Sequence, residues 1–425
     1  MIAWLLISFF VLLFLGVPIA MSLGLSAVGG ILFLGAGSTV TIAQRMFEGM
    51  NSFALLAIPL YTFAGFTMSK GGISKRLMDF CYSIVGHIYG GLAHVNVLSS
   101  MIFAGISGSA VADTAGVSGM FMPEMIRKGY SKNFTVAVTA ISSTIGIIIP
   151  PSIPMVVIAG ICGISTGKLF LGGIIPGVLC GLAQMIVSYF LAKKEGVPKE
   201  PSHFTIGPVL HGLWESWPAL LMPIIIVGTI TMGIVSPTEA GVIAVVYGLF
   251  AGGIIYRELK WEDIKFAFAE TVRTSGRIFI VIGAAKLYTV MLTTAGFDKW
   301  VAKTMLGFST NPTVILIMIL LIFFIVTMFM ESIATLTLFM PILYPIALGV
   351  GIDPIVLSVL ITVVIGVGLV TPPVGMCIYV ACDLMDVTVG EVFPTLVPFI
   401  AATFVCIALM VAFPQLILLP TYLMA

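Results

Sequence analysis

Gly146-Ile-Ile-Ile-Pro150-Pro151-Ser152 lies in the first half of the chain, and Gly368-Leu-Val-Thr-Pro372-Pro373-Val374 in the second. Each interrupts a long apolar run with two adjacent prolines. Proline removes a backbone donor and clashes with the preceding helical turn, and the residue before it avoids the helical region. Each run therefore reads as a helix broken within its apolar length. The likeness extends outward in order. Phe121-Met122-Pro123 precedes the first break and Phe339-Met340-Pro341 the second. Gly167-Lys168-Leu-Phe170 and Pro176 follow the first; Gly390-Glu391-Val-Phe393 and Pro398 follow the second. The step from the second proline of each pair to the later proline is 25 residues in both halves (151 to 176, 373 to 398). Asp113-Thr114 stands ten residues before Pro123, as Glu331-Ser332 stands ten before Pro341. Leu60-Tyr61-Thr62 echoes Leu287-Tyr288-Thr289. One shared Pro-Pro carries little weight; an ordered series of matches indicates an internal duplication.

The composition says what surrounds these helices. The chain has 425 residues, 60% of them hydrophobic and 9% charged, with a mean hydropathy of +1.19. Soluble chains carry about 25% charged residues. An ordinary soluble domain, a disordered chain and a disulfide scaffold are excluded. The net charge of +1 supplies no field to attract nucleic acid. Apolar runs of roughly 17–25 residues point to an all-α polytopic membrane protein set in a lipid bilayer. The six cysteines stand singly, without metal-ligand spacing, and read as packing residues. The opening MIAWLLISFF lacks a basic leader and reads as a first span.

Hydropathy predicts the segments in turn. Ile2–Gly16 and Ser22–Leu34, parted by Pro18, form one bent span or two short ones. Thr39–Met50 is amphipathic and lies along the interface. Ala54–Met68 is a span, and Leu77–Leu92 a weaker interfacial segment. Val95–Met122 is broken at Gly105–Ser109, and Phe134–Ile164 at Pro150-Pro151. Gly172–Leu191, Ala219–Val235 and Ala240–Tyr256 are spans. Leu259–Arg277 carries charge at nearly every turn and is expected to be a surface helix or linker before the span Ile278–Thr294. Pro312–Leu348 is interrupted near Glu331, Val356–Leu384 at Pro372-Pro373, and Val397–Phe413 closes the chain.

If Val95–Met122 and Pro312–Leu348 are re-entrant hairpins, most basic residues fall on one face. Lys70, Arg76, Arg127, Lys132, Lys193, Lys199, Arg257 and Arg277 are among them. The positive-inside rule makes that face cytoplasmic. An odd number of crossings then separates the two copies, which lie upside down to one another. Inverted repeats with broken helices are the arrangement of secondary transporters.

A helix broken in mid-membrane frees N–H and C=O groups that cost several kcal/mol each in lipid unless protein, water or ligand meets them. Carbonyls and hydroxyls at such breaks suit Na+, and half-helix N-termini suit a carboxylate. At the first hairpin the candidates are Ser107, Gly108, Ser109, Asp113 and Thr114; at the second, Glu331 and Ser332. An acid in an apolar stretch is costly unless used or paired. Both acids are expected to cap and lock their hairpins, and small-residue packing is the plain alternative. The first broken helix adds Ser142, Ser143, Thr144, Gly146 and Pro150; the second adds Thr362, Gly366, Gly368, Thr371 and Pro372. Lys286 reads as a snorkelling lysine. The histidines 87, 94, 203 and 211 show no metal spacing. There is no GxxxxGK[ST] or HExxH, so an ATP-driven pump and a metal-dependent membrane protease are unsupported and no enzyme is expected.

The stretches Ser99–Asp113, Gly146–Ser152 and Gly368–Gly375 together resemble the large membrane subunit of a tripartite ATP-independent periplasmic (TRAP) transporter, over essentially the whole length. The resemblance implies a Na+-coupled symporter working as an elevator, in a bacterial inner membrane, with no cofactor besides the coupling ion. It implies a separate small membrane subunit of about four helices and a periplasmic substrate-binding protein. It implies uptake of an organic anion, with the first hairpin closest to the sialic-acid branch and C4-dicarboxylates next. On that reading residues 1–53 are N-terminal scaffold helices, 54–92 a scaffold arm and 93–192 the first half of the transport domain. Residues 193–277 are scaffold helices with a charged cytoplasmic linker, 278–311 the second arm and 312–425 the second half of the transport domain. A standalone sodium-coupled anion transporter is the nearest rival, and a channel or assembly scaffold a more distant one.

Overall fold

In the computed structural model, described for residues 1–35, 38–197 and 205–424, the chain is helical. Lys199 and His203 lie outside the described residues. The N-terminal region is two short helices, α1 (Ile2–Phe14) and α2 (Ile19–Leu34), packed on each other after the turn at Gly16-Pro18. The amphipathic α3 (Val40–Met50) buries none of its residues and pairs Arg45 with Glu48 at 2.7 Å. That bond holds the Glu48 carboxyl below the usual carboxylate range.

The duplication shows in the order of elements. The first copy runs α4 (Ala57–Lys70), α5 (Ile73–Val85), α6 (Gly91–Ser107), α7 (Ala110–Arg127), α8 (Lys132–Ser143), α9 (Ile153–Cys162) and α10 (Thr166–Glu195). After α11 (Ile206–Thr231) and α12 (Pro237–Phe250) the second copy repeats it. It comprises α13 (Trp261–Thr294), α14 (Phe297–Phe308), α15 (Pro312–Thr327), α16 (Ser332–Gly349), α17 (Pro354–Gly368), α18 (Met376–Met385) and α19 (Val389–Ala412). Hairpin α6–α7 corresponds to α15–α16, and broken helix α8–α9 to α17–α18. Each hairpin's two limbs pack on each other, so the chain turns back at the break.

Local chemistry sets these boundaries. Ser131, Ser165, Asn311 and Asp353 accept backbone N–H bonds at the starts of α8, α10, α15 and α17. Pro312 and Pro354 occupy first helical positions, where a missing donor costs nothing. Among the described residues seven helical stretches are long and apolar enough to cross a membrane: Phe53–Lys70, α10, α11, Pro237–Ile255, α13, α16 and α19. Their outward faces carry exposed Leu182, Phe190, Ile224 and Val405, as lipid contact requires.

One expectation is corrected. Leu259–Arg277 is no separate surface helix or linker, because it continues without interruption into Ile278–Thr294 as the 34-residue α13. No proline or helix-ending glycine lies between the charged and apolar halves, so one helix carries both. The proposed division at 277 falls inside it. The first copy differs here: α3 and α4 are parted at Asn51-Ser52 by a short 3₁₀ turn.

The echoed tyrosines explain part of the packing. Tyr61 and Tyr288 are each 1% exposed. Tyr61 donates to the Pro237 carbonyl at 2.8 Å, and Tyr288 to the Leu5 carbonyl at 2.8 Å. Each thus ties its arm helix to a neighbouring span. Tyr61→Phe and Tyr288→Phe should each cost about 1 kcal/mol, nearly additively. Thermal unfolding of the detergent-solubilised protein checks this; two unchanged midpoints would remove the hydroxyls from the account.

Candidate functional site

The first hairpin tip is built by four residues. Gly108 ends α6 at φ +66°, a left-handed turn that a side chain would strain. Ser109 caps α7, accepting from Ala112 N at 3.5 Å. The Ser107 hydroxyl donates to Asp113 Oδ1 in the first turn of α7, and Ser109 N–H donates to Ser107 Oγ at 3.3 Å. An acid in this first turn is favoured by the helix dipole. Asp113 is 3% exposed, and its other oxygen, Oδ2, has no hydrogen-bond partner. Thr114 is also buried; its hydroxyl donates to the Ala110 carbonyl at 2.8 Å. Cys377 of α18, from the other repeat, faces both Asp113 and Thr114.

The first break receives this tip. After α8 the backbone tightens through the 3₁₀ turn Thr144–Ile147 to the cis bond Pro150-Pro151. Ser152 closes the break, donating to the Ile147 carbonyl at 2.5 Å and accepting from Met155 N at 3.3 Å. Ile153 N–H donates to the Gly108 carbonyl at 3.2 Å. A Cβ on Gly108 would stand 2.6 Å from the Pro151 carbonyl oxygen, and one on Gly146 would meet Asp113 Oδ2. The orphan carboxylate oxygen therefore points at a place beside the break, Gly146, that carries no side chain.

The second tip and break repeat the seating with different side chains. Glu331 is the N-cap of α16, accepting from Ala334 N at 3.4 Å, and Ser332 donates to it at 3.3 Å. The break follows α17 through the cis bond Pro372-Pro373 to Gly375 at φ +38°. Thr371 donates to the Val367 carbonyl at 2.7 Å. Val374 N–H donates to the Met328 carbonyl at 2.9 Å, the counterpart of the Ile153–Gly108 bond. A Cβ on Gly368 would meet Thr327 Oγ1. The breaks also touch one another: a Cβ on Gly366 would lie 3.3 Å from Thr144 Cβ. Thr144 and Gly366 are repeat-mates, each seven residues before the second proline (144 to 151, 366 to 373).

Both breaks are narrower than the sequence indicates. Ser142 and Ser143 are the last residues of α8, and Thr362, Gly366 and Gly368 belong to α17. Ser142 turns away from the tip to donate to Asn96 Oδ1 at 3.1 Å, and Ser100 donates to Ser142 at 3.1 Å. Ser143 and Thr362 bond the carbonyls of Thr139 and Ser358, one turn back, at 2.7 and 2.8 Å. Thr144, Gly146 and Pro150, with Thr371 and Pro372, stand at the breaks proper. Sequence reasoning missed Asn96 and Cys377. A lone amide inside an apolar helix is a signal for Asn96; Cys377 is placed by contact between the repeats, which spacing does not reveal. Lys286 lies over Gly49 on α3, within electrostatic reach of Glu48.

The arrangement offers hydroxyls, carbonyls and one unpartnered carboxylate oxygen, a hard-oxygen environment suited to a small cation. Among the described residues no cluster of three or more His, Cys, Asp or Glu side chains could hold a metal. A cavity of about 330 Å³ opens beside the second break, lined by Pro373, Val374, Met376, Tyr379 and Val380. Another, of about 750 Å³, lies away from both breaks between α5 and α11.

The fold resembles the crystal structure of the YdaH transporter from Alcanivorax borkumensis, with a TM-score of 0.60 at 12% identity, over 87% of this chain and 86% of that one. The sialic acid TRAP transporter large permease protein SiaM of Vibrio cholerae is 35% identical over 96% of this chain and 95% of its own. The C4-dicarboxylate TRAP transporter large permease protein DctM of Pseudomonas aeruginosa is 35% identical over 95% and 94%. The isethionate TRAP transporter permease protein DctMQ of Oleidesulfovibrio alaskensis is 37% identical over 92% of this chain, which spans 62% of that longer relative. Residues 6–416 match the family described as the tripartite ATP-independent periplasmic transporter, DctM component. With its paired hairpins seated in paired broken helices, the chain belongs to that family of large TRAP permease subunits.

Proposed function

We propose that the chain is the large permease of a sodium-coupled uptake system for a carboxylate-bearing organic anion, with sialic acid the first candidate and C4-dicarboxylates the next. The chain is a multi-pass protein of the bacterial inner membrane. The observation that carries the coupling is the buried, unpartnered Asp113 Oδ2, aimed at Gly146 where hairpin and broken helix meet. Na+ at that junction would supply the missing partner and hold the tip in its seat. A second Na+ would sit among Met328, Ser332 and Thr371 at the symmetric junction, with the anion between the two. Cation and anion then raise each other's affinity by the same factor.

Relatives named for sialic acid, C4-dicarboxylate and isethionate transport support the anion class. A small membrane subunit and a periplasmic binding protein complete the system, and α6–α10 with α15–α19 move as an elevator against the remaining helices. Proteoliposomes holding this chain and its small subunit, loaded outside with binding protein, test the reading. Labelled sialic acid, succinate and isethionate are offered separately, with and without an inward Na+ gradient. Saturable uptake of one anion only with Na+ and binding protein present is expected. Uptake indifferent to the binding protein would favour a standalone transporter, and uptake indifferent to Na+ would sink the coupling.

A further inference from the structure

The two repeats share a fold but not an interior. Between α6, α8 and α10 the first repeat buries a seam of Asn96, Ser100, Thr139, Ser142, Gln184 and Ser188, each 0% exposed. Asn96 donates to Thr139 Oγ1 at 2.7 Å and accepts from Ser142 at 3.1 Å; Gln184 donates to the Ile141 carbonyl at 3.4 Å. The residues at the same distances from Pro341 and Pro373 in the second repeat are Val314, Met318, Ile361, Val364, Cys406 and Met410. All six are apolar. Since the second repeat attains the same architecture with apolar residues at these six places, the fold does not require the seam.

The seam is also incomplete. Gln184 Oε1 and Ser188 Oγ are buried without a partner, and so is Thr135 Oγ1, one turn from Thr139. Buried polar atoms of this kind are met by ordered water. Its position has a direction. Ser142 adjoins Thr144 at the first break, whereas Ser188 lies one turn beyond Gln184 toward Lys193 and Lys194 at the basic end of α10. We propose that the seam is a water-filled passage linking the first break with the basic, cytoplasmic face, through which the coupling cation leaves its site. The second repeat, apolar at the six matching positions, offers no such route. Hydroxyls and amides suit this task, because they solvate a passing cation without the charge that would trap it.

The passage rests on the cation site of the preceding section, but its water does not, and the experiments separate the two. The first determines the complex with its small subunit at a resolution that shows ordered water, in wild type and in Gln184→Met. Water beside Gln184 Oε1 and Ser188 Oγ is expected in wild type; a dry seam overturns the proposal whatever the transport assay shows. The second measures Na+ efflux from loaded proteoliposomes, and uptake against rising internal Na+, for wild type, Thr139→Val and Gln184→Met. The variants should slow efflux about fivefold or more and lose inhibition by internal Na+, with the external Na+ half-saturation unchanged. Equal slowing of every step, or wild-type release from both variants, assigns the seam to packing alone. Wild-type uptake without Na+ dependence would instead overturn the cation reading while leaving the water result standing.

Discussion

Asp113→Asn is expected to lower Na+-driven uptake about a hundredfold, equivalent to about 2.7 kcal/mol, while leaving the protein folded. The asparagine keeps the shape and can still accept from Ser107, so the tip retains the bond that closes it. It replaces the oxygen facing Gly146 by an amide or an uncharged carbonyl. A buried carboxylate carries a large desolvation cost, and removing its charge costs stability only where a protein partner depended on it. No protein partner meets Oδ2, so the loss should fall on cation binding. Glu331→Gln should do less, about tenfold or under, because the Glu331 side chain is spent on Ala334 N and Ser332 at the start of α16. Uptake, external Na+ half-saturation and gel-filtration profile are measured together. A wild-type Na+ half-saturation in Asp113→Asn would remove this carboxylate from the site.

The contrast between the two acids bears on what the sequence reveals. Asp113 and Glu331 occupy matching places before Pro123 and Pro341, and spacing treats them alike. Their side chains are used differently. Glu331 is the N-cap of α16, whereas Asp113 lies in the first turn of α7, four residues past the N-cap Ser109, and is held by Ser107 from across the tip. That difference reflects helix starts four residues apart in repeat register, with caps Ser109 and Glu331 standing 14 and 10 residues before Pro123 and Pro341, which hydropathy does not resolve. The doubled prolines, by contrast, are legible because they break helices wherever they stand. They place both breaks, and through the ordered matches the whole repeat. Charge density misleads at α13, where it suggests a surface piece separate from the span. No proline lies between Trp261 and Thr294, and the helix runs through Gly276 at the junction without ending. The hydroxyls of Ser142 and Ser143 are legible as polar but not as to their partners, which come from α6 in one case and α8 itself in the other.

Gly108→Ala should abolish transport more completely than any serine substitution at the tip, with uptake reduced about a hundredfold or more. Two costs coincide at this position. The backbone is left-handed at φ +66°, a conformation that costs a side-chain-bearing residue about 1–2 kcal/mol. The added Cβ would also stand 2.6 Å from the Pro151 carbonyl oxygen, and a backbone atom has no rotamer by which to retreat. The tip must lift, which strains the Gly108–Ile153 bond and draws Asp113 away from Gly146. Gly146→Ala attacks the same junction from the other side, but it meets a carboxylate that can swing, so a partial loss with weakened Na+ dependence is expected. Gly116→Ala in the same hairpin is the control, since nothing lies within 4 Å of its Cβ and a helical alanine is favourable. All three variants are compared by Na+-driven uptake and by thermal unfolding in detergent. If Gly108→Ala transports like Gly116→Ala, the tip need not seat in the break, and the junction is not where the cation is held.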